Sequence, residues 1–126
     1  MAGLKLDGAG QAKMATLDDA VALQQRIHTL VEQYALAVKS NQPASHIFQN
    51  LKRQMPTLAG KLKGQFGMIS DLVTAVSMSM TRGASEQMRI RAMREGIAAI
   101  KVQIEIAISQ TIQRHAVKEE KQPASE

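Results

Sequence analysis

The stretch IAAIKVQIEIAI, Ile97 to Ile108, decides between two folds. Taken at every second residue, Ile100, Val102, Ile104, Ile106 and Ile108 alternate with other residues as the buried face of a β-strand would. Taken at 3.6 residues per turn, Ile97, Ile100, Ile104 and Ile108 share one side of a helix, and Val102 and Ile106 fall nearly opposite with Ala99. The flanking segments SEQMRIRAMREGIAA and SQTIQRHAV carry good helix formers, and a lone strand would find no partner elsewhere in the chain. The spacing therefore predicts a helix from about Ala84 to Val117, apolar on two faces.

Upstream, Leu58, Leu62, Phe66, Ile69, Val73, Val76 and Met80 form a second stripe, closed by Arg82 and Gly83 as a basic last turn and a stop. Pro56 should separate this helix from a short one capped by Ser45, with Ile47, Phe48 and Leu51 facing inward. Thr16 and Asp19 match a capping box, which starts the first helix near Leu17. Leu23, Ile27, Leu30, Tyr34 and Val38 stripe that helix, and Asn41 and Pro43 end it. Gly60, Gly64 and Gly67 have the spacing of a close helix approach, or equally of a bent or frayed helix.

These elements predict an all-α fold, an antiparallel helical bundle of three long helices plus one short helix. Residues 1–15 hold Gly3, Gly8 and Gly10 with no apolar stripe and read as a disordered arm. Residues 16–118 form the bundle, and residues 119–126, polar and carrying Pro123, read as a disordered tail.

The 126 residues suit one domain. Apolar residues make up 44% but only Tyr34, Phe48 and Phe66 are aromatic, which disfavours an all-β sandwich. Cysteine is absent, so disulfides, thiolate metal sites and cysteine nucleophiles are excluded. No apolar run is long enough to span a membrane, and the opening MAGLKLDGAGQAKM lacks the apolar centre of a signal peptide. The expectation is a cytoplasmic protein with no membrane contact.

Nothing in the sequence has the pattern of catalysis. His28 and His115 each have a single glutamate four residues on, Glu32 and Glu119, which is short of a metal set, His46 has none, and no HExxH, ExxH, phosphate-binding loop or GxSxG motif occurs. The expectation is no enzyme, no cofactor and no metal. Met68, Met78, Met80, Met88 and Met93 cluster about the turn between the last two helices and read as core filler or as an adaptable surface.

Charge is uneven within the net +5. Between Glu32 and Asp71 there is no acidic residue, while Lys39, Lys52, Arg53, Lys61 and Lys63 fall there; Arg82, Arg89, Arg91 and Arg94 open the last helix. Lys52, Arg53, Arg89 and Arg91 are the candidate nucleic-acid-binding residues, able to displace counterions from phosphates. Surface cations also serve solubility. Both pairs are expected on solvent-facing positions, and Arg89 is expected to lie far from Lys52.

The segment AGKLKGQFG, Ala59 to Gly67, resembles the active-site helix of histidine-containing phosphotransfer domains through Leu62, Lys63 and Gly64. Gly60 stands where that family has its histidine, so the resemblance implies at most a binding module without phosphotransfer. Leu51, Lys52, Arg53, Phe66 and Gly67 are similar to the four-helix-bundle accessory proteins of diversity-generating retroelements. That resemblance implies a basic oligomer associated with nucleic acid, although the proline is displaced. Neither resemblance is carried to a family assignment.

Assembly follows from the last helix. At 1.5 Å per residue it spans about 50 Å against roughly 37 Å for the first. The first helix should therefore leave part of the last uncovered, and Ala99, Val102 and Ile106 are the expected oligomer interface. The leading expectation is a non-enzymatic helical interaction or scaffold protein acting as a homo-oligomer, its protein partner unspecified. The alternative is a basic nucleic-acid-binding four-helix-bundle accessory protein.

Overall fold

The computed structural model describes residues 5–82 and 85–117. In chain order these form β1 (Lys5–Leu6), α1 (Gly8–Lys39), α2 (Ser45–Lys63), α3 (Gly67–Met80), α4 (Glu86–His115) and β2 (Ala116–Val117). The tail at 119–126, the first four residues of the arm, and Gly83 and Ala84 lie outside the described residues.

The fold is an all-α bundle, and the contested stretch Ile97–Ile108 is helical within α4. α1 and α4 run in opposite directions, and each helix packs against its neighbours. On α1 and α4, Gly10 meets His115 and Tyr34 meets Arg89; on α2 and α3, the Ser70 hydroxyl donates to the Ala59 carbonyl at 2.9 Å; on α3 and α4, Val76 meets Gly96. Leu17, Ile27, Leu51, Met55, Leu58, Leu62, Val73, Met93 and Ile100 fill the shared interior. Each stripe contributes at helical spacing because only one face of each helix reaches that interior.

Three boundaries differ from those the sequence predicts. First, α1 begins at Gly8 rather than near Leu17, so residues 8–15 of the expected arm are helical. Asp7, not Thr16, is the cap: its carboxylate accepts from the Gly10 amide at 2.7 Å, and its backbone carbonyl accepts from Gln11 at 2.9 Å. The extra turns hold because β1 pairs antiparallel with β2, Lys5 opposite Val117 and Leu6 opposite Ala116, pinning both ends of the described chain together. Thr16 sits inside the helix, where its hydroxyl donates to Gln65 Oε1 at 2.9 Å.

Second, Pro56 does not break the chain; α2 passes through it. Proline removes one amide, the donor to the Lys52 carbonyl, and both residues are solvent-exposed, so water can take that carbonyl while Met55 and Leu58 stay buried. The break falls at 64–66 instead, where Gly64 closes α2 and the Phe66 amide donates back to the Leu62 carbonyl at 2.7 Å. The helices thus measure 32, 19, 14 and 30 residues, two long and two shorter, rather than three long and one short. Ser45 is the first residue of α2 and makes no cap.

Third, α1 is as long as α4, about 48 Å against about 45 Å. It therefore lies along all of α4, and the expected shortfall in cover does not occur. The end of α1 is as predicted. Asn41 adopts the left-handed conformation at φ 58, the Gln42 amide reaches the Ala37 carbonyl at 2.8 Å and the Asn41 amide reaches Val38 at 3.2 Å, which together terminate the helix ahead of Pro43.

Glycine acts at two close approaches. A Cβ on Gly96 would lie 2.4 Å from Val76 Cγ1, and one on Gly10 would lie 2.4 Å from His115 Cβ. By contrast, Gly60, Gly64 and Gly67 have nothing within 4 Å of a built Cβ, so the spacing that suggested a close helix contact marks the α2–α3 break.

Candidate functional site

The outer face of α4 is apolar at its centre. Ala99 is exposed, and Val102 and Ile106 keep 49% and 43% of their surface, while Ile97, Ile100 and Ile104 on the opposite side are buried. The two-faced reading of this helix holds even though α1 runs its full length, because α1 and α3 flank α4 and leave its far side open. Met68, 87% exposed at the start of α3, lies beside Ile106 in a cleft of about 410 Å³. Lys13, Arg114 and His115 also line this cleft, and no acidic residue does.

At the opposite end, where α1 turns into α2 and α4 begins, the structure brings together residues that the sequence reading kept apart. The Arg89 guanidinium stacks 4.5 Å from the Phe48 ring centroid, and Lys52 Nζ lies 5.5 Å from the same centroid. Arg89 Nη1 donates to the Tyr34 hydroxyl at 3.2 Å, and the Tyr34 and Phe48 rings sit 5.6 Å apart. Arg89 is accordingly half-buried rather than solvent-facing, and its Nε is buried without a hydrogen-bond partner among the described residues. Lys52, Arg53 and Arg91 are exposed as expected. Arg94, by contrast, is engaged: it donates to both Glu32 oxygens at 2.7 and 3.0 Å. This guanidinium holds the Glu32 carboxyl below the usual carboxylate range, and the carboxylate raises Arg94 in turn.

Tyr34 and Phe48 are the residues that sequence reasoning missed here. Phe48 and Lys52 stand four apart on α2, a spacing that puts them on one face. Arg89 could not be added without the antiparallel placement of α4 on α1. Because both cations use the Phe48 ring, Phe48 supports charge rather than offering an open stacking platform.

Of the histidines, His28 and His46 are exposed, whereas His115 has partners distant in sequence. Lys13 Nζ approaches His115 Nε2 at 3.2 Å and, having no acceptor, must donate to it; Nδ1 then carries the proton and donates to Asp7 at 3.0 Å. The amide of Gly10 chiefly, with His115 and Lys13, holds the Asp7 carboxyl below its ordinary value. This triad clamps α1 to α4 and explains His115 structurally. Among the described residues no three His, Asp or Glu side chains gather as a metal set, and no helix is long and apolar enough to cross a membrane. The methionines divide: Met80 and Met93 are buried core residues, while Met68, Met78 and Met88 are exposed. Met68 lies at the far end of α3 from the other two, so they form no single surface. Comparison of the sequence with known family models and curated proteins, and of the fold with solved structures, returns no match.

Proposed function

We propose that the chain is a non-enzymatic, cytoplasmic interaction protein that works as a homo-oligomer through the outer face of α4. The observation that carries this reading is the exposure of Val102 and Ile106, with Ala99, at the middle of a helix whose other face is already filled. This face is open although α1 covers α4 end to end, so its exposure does not come from a shortfall in helix length. Burying a valine or isoleucine contributes about 1.5–3 kcal/mol, so a few from each copy can offset part of the association entropy. Light scattering at micromolar concentration tests it. The expected mass exceeds one chain, and a one-chain mass across that range contradicts it.

One observation favours a second reading, nucleic-acid binding by the basic end. Lys52 and Arg89 converge on Phe48, with Arg53 following Lys52 on α2 and Arg91 following on α4. Titration with single- and double-stranded RNA and DNA at two salt concentrations tests it, because phosphate-driven affinity falls steeply with salt. The Lys52→Gln/Arg53→Gln variant should weaken binding with folding intact. Arg91→Gln is the corresponding change on α4, since Arg89 has a packing role as well. Absence of salt-sensitive binding by the wild type ends this reading.

A further inference from the structure

Resting on the oligomer reading above, we infer that a second copy of this chain docks on α4 in antiparallel register, about a two-fold axis crossing the helix at Val102–Gln103. Three features of α4 converge on that arrangement.

The first is what shares the outer face. Glu95 lies seven residues before Val102, on the same line along the helix, and both it and Arg91 are exposed. Parallel pairing about an axis along α4 would set Glu95 against Glu95 and Arg91 against Arg91 of the second copy, like charges face to face. Antiparallel pairing moves Glu95 opposite the level of Gln110, whose amide carries no charge and can donate to a carboxylate, and brings Arg91 level with Arg114, which stands to the side of the face in the cleft with Met68.

The second is charge complementarity on the flank. Lys101 and Glu105 are exposed on the α1 side of the outer face, and neither forms an ion pair among the described residues. A two-fold axis crossing α4 keeps this flank on the same side in both copies, so Lys101 of one meets Glu105 of the other, twice. The third is coincidence of centre. Ala99 and Ile106 are centred between Val102 and Gln103, and Lys101 and Glu105 are centred on Gln103, half a residue away, so one axis places Ala99 on the second copy's Ile106 and brings both charge pairs within reach. Specific interfaces remove about 800 Å² from each partner. The strip on α4 needs help to reach that area, and Met68 beside Ile106 widens it.

The cysteine-free sequence makes the test clean. Two differently tagged variants, Ala99→Cys and Ile106→Cys, are mixed under mild oxidation. The expected product is the mixed disulfide, with each variant alone linking poorly. In parallel, Lys101→Glu and Glu105→Lys should each raise the dimer dissociation constant about tenfold, and the double swap should restore it. A wild-type dimer in which each cysteine variant links chiefly to itself, or in which the double swap restores nothing, overturns this register and leaves the oligomer reading standing. A wild-type mass of one chain overturns both.

Discussion

Replacing Gly96 with alanine probes the packing of α3 on α4 directly. The new Cβ would lie 2.4 Å from Val76 Cγ1 and 3.0 Å from Cγ2. Carbon atoms pack at about 3.5–4.0 Å, so one side must retreat by roughly 1 Å or more. Val76 cannot easily do so: it is buried, and its β-branched side chain is stiff at χ1. Overpacking a filled core costs about 1–3 kcal/mol, and a contact against both methyls belongs in the upper half of that range. Alanine returns about 1 kcal/mol of helix propensity over glycine, leaving a net loss of about 1–2 kcal/mol. With Val76→Ala in place both obstructing methyls are gone and only the Cβ of residue 76 remains close, at 3.2 Å, so after a shift of a few tenths of an ångström Gly96→Ala should stabilise by less than about 1 kcal/mol. Urea denaturation of the four proteins, at one concentration because assembly shifts apparent stability, reads this reversal of sign. Refutation would be a Gly96→Ala variant more stable than the wild type.

Two further outcomes are expected. Leu62→Ala and Ile104→Ala, at side chains that are 0% and 2% exposed, should each cost about 2–5 kcal/mol in chemical denaturation, and losses below about 1 kcal/mol would contradict the packing. Asp7 and Glu32 both have carboxyls depressed below their ordinary values, so the stability they contribute is present above about pH 4 and is lost as the pH falls through their folded-state values. An Asp7→Asn/Glu32→Gln variant, which keeps a capping side chain but removes both titrations, should lose less stability than the wild type between pH 5 and 2, about the span of those titrations; equal losses would exclude these two carboxyls as a source.

The helical stripes were legible because burial on one face imposes the period of 3.6, which settled Ile97–Ile108 against its strand-like alternation. Helix ends that depend on local chemistry were legible where one residue type dominates, as at Asn41. They were not where a distant partner decides. Gly8 to Ala15 fold as helix because Leu6 and Asp7 are held by Ala116 and His115 across the whole chain, a link with no local signature. Pro56 misled because the cost of proline depends on whether the orphaned carbonyl faces solvent, which requires knowing the buried side of α2. The second apolar face of α4 is legible from the same period, and Val102 and Ile106 on it are exposed, whereas the relative lengths of α1 and α4 are not legible because the start of α1 depends on that distant link. The meeting of Lys52 with Arg89 needed the order of helices around the bundle, and that order also separates Gly96, which touches its neighbour, from Gly60 and Gly64, which do not.

The most direct test of assembly through α4 compares the wild type with Val102→Lys/Ile106→Lys by sedimentation equilibrium, with helical circular dichroism measured on the same samples. Both positions are exposed on the folded chain, so the variant should keep its helix content and fall to the mass of one chain while the wild type remains a multiple. A variant that retains the wild-type mass, or a wild type that is already a single chain, would contradict assembly through this face.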